Sequence, residues 1–216
     1  MIDYSIYLKS KKIFMRKILM SLFFIAVSTM AIAQKFKDET GDLSVLSGAK
    51  EVNIEYNYSK LTLLKDEIPE AEYIKNRKAD LEAKRTGEGD IWVRKWEAAK
   101  TTIWQLKFEE LLVKTATQDL GISFKENAAK AKYTLIVDVV WIYPGYDVMI
   151  KKQEAKVTTV LKIVETANKN KVLYSVRAEN APGDQWGNNF SNESRIGEGF
   201  AKTAKSFGKL LKKALK

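Results

Sequence analysis

The 216-residue chain contains no cysteine and no histidine. Without cysteine it can form no disulfide and has no thiol for lipid attachment, so its stability must come from a packed core. Without histidine it cannot build a Ser-His-Asp triad, a histidine general base or the usual zinc and copper centres. Any reaction would depend on carboxylates, lysine, tyrosine or serine, and we predict no metal and no cofactor.

No apolar run in the sequence reaches the length of about 20 residues that a membrane span needs. The apolar run at residues 18–27 follows Arg16 and Lys17 and leads to Ala-Ile-Ala at residues 31–33. A basic start, an apolar centre and a small-residue cleavage site are the parts of a secretory signal peptide. We therefore predict a signal peptide over residues 1–33, with Met15 as the alternative start of translation. A retained anchor helix is the other interpretation of this segment.

The predicted signal peptide carries much of the excess positive charge. It holds five basic residues and one acid, so cleavage after Ala33 lowers the net charge from +10 to +6. The remaining basic residues are dispersed, which argues against a nucleic-acid partner. We predict a flexible lead-in at residues 34–49 and a single α+β domain at residues 50–216.

The first half of that domain shows one strand pattern and two helix patterns. Apolar and polar residues alternate over residues 52–58, as in a half-buried strand. Pro69 precedes a charged helix over residues 70–85 with a narrow apolar stripe. Helical spacing then continues over residues 91–119, and Gly121 is placed to end this longer helix.

The second half predicts mainly strands. They cover residues 133–143, 155–166 and 172–179. The Asn-rich spacer at residues 167–171 has hairpin composition, so the last two strands should pair antiparallel. A final helix begins after the loop at residues 182–192, with Asn192 or Ser194 as its N-cap. The order β-α-α-β-β-β-α predicts an α+β fold with one mostly antiparallel sheet and helices packed on one face.

Asp138 is the best single candidate for a catalytic carboxylate, because it interrupts the apolar strand at residues 133–143. An isolated buried carboxylate is costly, so Asp138 must be paired or hydrated. Alternation places Lys162 and Arg177 on the same side of the sheet, which favours a structural ion pair over catalysis. No second acid at a suitable spacing supports glycosidase chemistry.

The last helix has an apolar side and a basic side. Its apolar residues are Ile196, Phe200, Ala204, Phe207, Leu211 and Leu215, and its basic ones are Lys202, Lys205, Lys209, Lys212, Lys213 and Lys216. This pattern favours a helix docked on its own core with solvated lysines. The alternative is association of residues 194–216 with an anionic membrane surface, with Phe200 and Phe207 inserted at the interface.

Aromatic residues in two loop segments are the candidate binding site. They are Trp141, Tyr143 and Tyr146, followed by Trp186 and Phe190 in a Gly- and Asn-rich stretch. Rigid rings supply contact area at little entropic cost, as in surfaces that bind carbohydrate or protein. The same residues could instead fold back and cover the hydrophobic core.

The second half of the chain resembles a family of bacterial envelope domains. Residues 131–137, Ala-Lys-Tyr-Thr-Leu-Ile-Val, open a long strand that a two-strand hairpin and a basic terminal helix follow. This order is similar to the small α+β domains of the penicillin-binding-protein activator lipoproteins and the curli secretion lipoprotein, over roughly residues 45–216. The resemblance implies a non-enzymatic domain that binds an envelope partner. The lipid-bearing cysteine of those proteins is absent here.

These patterns predict an exported cell-envelope protein, periplasmic, associated with the outer envelope or secreted. It would act as a non-enzymatic binding or assembly module for an envelope protein or a glycan. One alternative is a hydrolase that uses Asp138, and another is a peripheral membrane-surface protein that uses residues 194–216. The oligomeric state and the identity of the ligand stay open.

Overall fold

An eight-stranded sheet is the centre of the fold, which a computed structural model describes for residues 34–148, 151–183 and 191–216. Its strands are β1 (Lys35–Gly41), β2 (Glu51–Asn57), β3 (Thr62–Leu63), β4 (Ile68–Pro69), β5 (Ser123–Glu126), β6 (Tyr133–Tyr143), β9 (Ala155–Glu165) and β10 (Asn168–Gly183). Two further strands, β7 (Tyr146–Val148) and β8 (Lys151–Gln153), pair as a separate hairpin. The predicted signal peptide lies outside the described residues.

The strand order of the main path is β1-β10-β9-β6-β2-β5. Each of the neighbouring pairs β1–β10, β10–β9 and β9–β6 is antiparallel, and this confirms the predicted hairpin between the last two long strands. β2 lies parallel to both β6 and β5, because the long helix between β2 and β5 provides the crossover that parallel strands need. β3 continues alongside the end of β6 and pairs with β4.

In the part of the chain that the structure describes, five α-helices accompany the sheet. They are α1 (Glu70–Lys84), α2 (Glu88–Ala99), α3 (Leu106–Leu112), α4 (Gln118–Leu120) and α5 (Asn192–Leu215). Two π-helical segments, Lys100–Gln105 and Val113–Thr117, join α2, α3 and α4 into what we call the central helix, residues 88–120. Thr102 and Thr115 donate side-chain hydrogen bonds to the carbonyls four residues earlier, which competes with regular helical bonding at these points. Gly121, with a φ of 66°, ends the central helix as predicted.

The central helix and α5 cover one face of the sheet and enclose the core. Fully buried side chains come from the central helix (Trp96, Trp104, Phe108, Leu112), from α5 (Ile196, Phe200, Phe207, Leu211) and from β6 and β9 (Leu135, Val137, Leu161, Ile163). The predicted α+β class, with a mostly antiparallel sheet and helices on one face, is confirmed.

The two helices of this layer run parallel to each other. Lys107 pairs with Glu198 near one end, and Lys212 with Asp119 near the other, at 2.5 Å. Gly208 allows the close approach between them, since a Cβ there would lie 2.2 Å from the Oγ1 of Thr115. Small residues at such positions let two helix backbones approach closely.

Three sequence predictions are corrected by the structure. Residues 34–49 are not a flexible lead-in, because β1 pairs with β10 and Leu43 and Leu46 are buried in the core. The N-cap of α5 is Ser191, whose Oγ accepts a hydrogen bond from the backbone N–H of Ser194. The predicted order β-α-α-β-β-β-α lacks the edge strands β1 and β5 and the short strands β3, β4, β7 and β8.

Within residues 34–148, 151–183 and 191–216, no helix is long and apolar enough to cross a membrane.

Candidate functional site

Asp138 lies on the face of the sheet opposite to the helices, where two neighbours hold its carboxylate. Lys162 donates to Oδ2 at 2.7 Å, and Asn57 donates to Oδ1 at 2.7 Å. Arg177 interacts with Glu179 instead, at 3.2 Å. The charge is thus compensated within the sheet, in line with the structural interpretation of Asp138.

The last helix buries its apolar side. Phe200 and Phe207 have no exposed surface, and both pack in the core. The indole ring of Trp104 stacks on Phe200, with ring centroids 5.7 Å apart. Insertion of these two rings into a membrane interface would require α5 to leave the core, so the folded protein does not use them in that way.

The predicted aromatic site is described by the structure only in part. Trp141 and Tyr143 stack with ring centroids 6.4 Å apart and an interplanar angle of 17°. The indole N–H of Trp141 donates to the carbonyl of Leu64 at 2.7 Å, which fixes the ring between β6 and the β3–β4 segment. Trp186 and Phe190 lie outside the described residues.

A groove lies where the end of β6 meets α1, and we call it the tyrosine groove. Its walls include Tyr73, Arg77 and Asp80 of α1 on one side and residues 143–146, with Tyr143 and Tyr146, on the other. The cavity measures about 440 Å³, within the range of about 300–1,000 Å³ that small-ligand sites occupy. Both faces of the groove therefore combine aromatic rings with polar groups.

The positions of the two tyrosines of the β6–β7 turn follow from local contacts. The hydroxyl of Tyr143 donates to the Oε1 of Gln153 on β8, at 3.2 Å. The ammonium of Lys151, also on β8, lies 6.0 Å from the centroid of the Tyr146 ring. The β7–β8 hairpin thus helps to orient both rings. Gly145, with a φ of 65°, makes the turn that separates them.

A second cavity of about 660 Å³ adjoins the tyrosine groove, and Arg77 and Asn192 line both. Trp92 and Thr102 of the central helix form part of this second wall. The guanidinium of Arg77 and the amide of Asn192 therefore stand at the junction, where they can donate hydrogen bonds to a ligand that extends through both cavities.

Burial raises the pKa of Tyr73 at the base of the groove, although the positive charge of Arg77 acts in the opposite direction. Tyr73 consequently stays neutral in the ordinary pH range and presents a hydroxyl that can donate or accept. Its ring also contacts Trp92 and Trp96, at centroid distances of 5.8 and 5.4 Å. Through Tyr73, the wall of the groove packs directly against the tryptophans of the core.

The sequence predicted one wall of the groove but not the other. Tyr143 and Tyr146 were recognisable as ring-bearing turn residues beside Pro144-Gly145. Tyr73 and Arg77 are spaced by one helical turn on a mostly charged helix, which is also the pattern of an ordinary exposed helix. Asn192 comes from the start of α5, far away in the sequence.

The carboxylates of the described residues do not assemble into a metal centre. Among the residues that the structure describes, no group of three or more potential ligands could hold a metal ion. Glu109 and Glu126 are two acids whose charges interact. Burial raises the pKa of Glu109, the charge of Glu126 adds to this effect, and a hydrogen bond from Tyr56 opposes it.

Comparisons with known proteins identify no family. No family model and no curated protein matches the chain. Among solved structures, the PelC dodecamer from Paraburkholderia phytofirmans is similar, with 12% identity and a TM-score of 0.38 over 79% of this chain and 94% of that chain. A single-substitution variant of that dodecamer, solved in another crystal form, gives 12% identity, a TM-score of 0.37 and the same coverage.

Proposed function

We propose that this chain is a non-enzymatic binding module of the bacterial cell envelope that holds an oligosaccharide in the tyrosine groove. The observation that carries the proposal is the arrangement of Tyr143 and Tyr146 across from Arg77 and Asp80 along one open groove. Aromatic faces pack against the apolar faces of sugar rings, while charged and amide groups bond to the hydroxyls.

The size and shape of the groove support an extended ligand. Two cavities of about 440 and 660 Å³ share Arg77 and Asn192, so a chain of several sugar units could contact both. Tyr143 and Tyr146 belong to strands, and Tyr73, Arg77 and Asp80 belong to α1. Strands and helices hold their side chains more rigidly than loops do.

The proposal that the protein is located in the cell envelope is based on its sequence. The basic, apolar and small-residue parts of residues 15–33 match an export signal, and residues 131–137 resemble the start of the long strand in envelope lipoprotein domains. An exported chain meets cell-wall and capsular glycans, which are the candidate ligands.

Hydrolysis is the less favoured alternative. Glycoside hydrolysis commonly uses two carboxyl groups that flank the bond. Among the described residues, each cavity is lined by one carboxylate, Asp80 in the tyrosine groove and Glu193 in the second cavity, so neither cavity holds such a pair. Asp138 lies instead on the open face of the sheet, hydrogen-bonded to Asn57 and Lys162.

The test is a binding screen of the folded unit, residues 34–216, against soluble cell-wall and capsular oligosaccharides of increasing length. Affinity should rise with length until both cavities are filled. Tyr146→Ala should weaken binding about tenfold, since aromatic contacts are worth about 0.5–1.5 kcal/mol beyond their buried area. Tyr133→Ala is the matched control, because Tyr133 is a half-buried tyrosine at the opposite end of β6.

Two results would contradict the proposal. One is the absence of saturable binding by any oligosaccharide in the screen. The other is equal weakening of binding by Tyr146→Ala and Tyr133→Ala, which would mean that the oligosaccharide does not bind in the tyrosine groove. Release of shortened products during incubation, lost in Asp80→Asn, would favour the hydrolase instead.

A further inference from the structure

The outer surface of the helix layer carries a line of lysines. Four lysines of α5 and the residue after it recur at spacings of three and four residues, which places them on one side of the helix: Lys202, Lys205, Lys209, Lys213 and Lys216. We call them the lysine stripe. None of the five forms a salt bridge with a residue that the structure describes.

The stripe lies opposite to the buried side of α5. Phe200, Phe207 and Leu211 face the core, so the lysines point away from the sheet. Residues 201–216 contain six lysines and no acid. At about 1.5 Å per residue, the stripe extends over roughly 20 Å of the surface.

Two of the neighbouring acids are already neutralised. Glu198 at one end accepts from Lys107, and Asp119 at the other end accepts from Lys212. The hydrogen bond from Lys212 lowers the pKa of Asp119 and keeps it charged, within its pair. These two acids therefore reduce the field of the stripe little, whereas the exposed carboxylate of Glu110 on the central helix opposes it.

Leu106 and Val113 are exposed apolar side chains of the central helix. Leu106 is 57% exposed and Val113 is 38% exposed, although Phe108 and Leu112 between them are fully buried. Leu106 and Val113 are seven residues apart, about two helical turns, so they share the outer side of the helix. The central helix packs parallel to α5 in the same layer, so these exposed side chains and the stripe both belong to the outer surface of that layer.

We infer that the outer surface of the helix layer docks on an anionic lipid bilayer. Lysines at the level of the headgroups and apolar side chains below them are the two components of peripheral membrane binding. A soluble polyanion would satisfy the lysines but would offer no apolar phase to Leu106 and Val113. The inference does not depend on ligand binding in the tyrosine groove, which Tyr146→Ala tests separately.

The surface that we infer differs from the one that the sequence predicted. The sequence pattern placed Phe200 and Phe207 at the membrane, but both are buried under the stripe. The apolar contribution comes instead from another helix, and α5 supplies only the charge. Binding therefore requires no unfolding or release of α5.

The test is sedimentation of the folded chain with vesicles of equal amounts of phosphatidylglycerol and phosphatidylcholine, and with vesicles of phosphatidylcholine alone. We expect binding to the anionic vesicles only, weakened by salt. The triple variant Lys205→Gln, Lys209→Gln, Lys213→Gln should lose about a hundredfold in partition coefficient, at roughly fivefold per lysine. Lys60→Gln, Lys84→Gln, Lys130→Gln is the control with the same net charge, on exposed lysines outside the stripe.

Two more variants test the contribution of the exposed apolar side chains and that of the nearby acid, Glu110. Leu106→Ser with Val113→Ser should reduce partitioning about tenfold, because these exposed side chains would no longer enter the interface. Glu110→Gln removes an exposed carboxylate between them and should increase partitioning severalfold.

Either of two outcomes would overturn the inference. Failure of the wild-type chain to sediment with anionic vesicles at low salt is the first. The second is loss of binding in the lysine variant with full retention in Leu106→Ser, Val113→Ser, which would assign the stripe to a soluble polyanion. Circular dichroism of each variant checks that it is folded, so that differences in sedimentation reflect binding and not unfolding.

Discussion

Lys162 donates a hydrogen bond to Asp138 from the neighbouring strand, with Nζ 2.7 Å from Oδ2. The two residues are diagonal partners, because Asp138 is opposite Val160 and Lys162 is opposite Ile136 in the β6–β9 register. Only 14% of the Asp138 side chain is exposed, compared with 34% for Lys162. The carboxylate of Asp138 is thus less accessible to water than the ammonium of Lys162, and it depends more on the ion pair for its stabilisation.

Replacing Asp138 should therefore affect stability. We expect Asp138→Asn to lower the free energy of unfolding by about 1–2 kcal/mol, because the acceptor loses its negative charge, one of its two accepting oxygens becomes a donor, and Lys162 keeps its charge. Urea denaturation measures this change. In Asp138→Asn with Lys162→Met, the losses should be less than additive. Additive losses would mean that the two side chains do not interact in solution.

Glu70 holds the indole of the fully buried Trp96. The Nε1 of Trp96 donates to the Oε1 of Glu70 at 2.8 Å, and the Nζ of Lys100 lies 3.0 Å from the same oxygen. Glu70→Leu should destabilise the fold by about 1–3 kcal/mol, since it leaves a buried N–H without an acceptor. Glu70→Gln keeps a carbonyl acceptor and should cost less. If both variants lose the same stability, the ion pair with Lys100 is the more important contact.

Glu109 should make stability depend on pH. Burial raises its pKa above the ordinary value, with a further contribution from the charge of Glu126. The folded state then holds this proton more tightly than the unfolded state, so stability falls as the pH rises from the ordinary glutamate pKa of about 4.3 through the raised pKa. Glu109→Gln should remove this part of the decrease.

Urea denaturation over a series of pH values between the ordinary glutamate pKa and neutrality measures the effect. Glu110→Gln is the control, since Glu110 is the exposed neighbour. A pH dependence that is unchanged in Glu109→Gln would show that the carboxyl is solvated in the folded protein.

Gly208 should tolerate a side chain poorly although it lies within α5. Alanine is favoured over glycine in a helix by about 1 kcal/mol. At this position its Cβ would lie 2.2 Å from the Oγ1 of Thr115, and overpacking costs about 1–3 kcal/mol. We expect Gly208→Ala to lower the melting temperature, and Thr115→Ala in the same chain to recover only part of the loss, because the Cβ of residue 115 would still lie 2.9 Å from the new Cβ. A rise in melting temperature for Gly208→Ala alone would show that the helices can separate at no cost.

The sequence predicted the elements that their local pattern defines. β6 has the predicted bounds, residues 133–143, because a long apolar run ends at Pro144-Gly145. The central helix and α5 were recognised from their periodicity. β1 was missed because its sequence, Lys-Phe-Lys-Asp-Glu-Thr-Gly, is polar, and its strand geometry depends on hydrogen bonds to β10 far along the chain.

The difference between local patterns and long-range contacts also explains which residues of the candidate site the sequence predicted. The tyrosines of the β6–β7 turn are conspicuous in the sequence because they flank a turn. Tyr73 and Arg77 belong to the groove only because α1 returns to the end of β6 through the short β3–β4 pair. No local pattern encodes that approach, so half of the groove becomes visible only in three dimensions.

The most direct test of oligosaccharide binding is isothermal titration of the folded unit with the tightest oligosaccharide from the screen, for the wild type and for Arg77→Met. Arg77 lines both cavities, so its loss should weaken binding of a long oligosaccharide about tenfold or more and leave the melting temperature nearly unchanged. Equal affinity of Arg77→Met and the wild type would contradict a ligand that extends through the tyrosine groove.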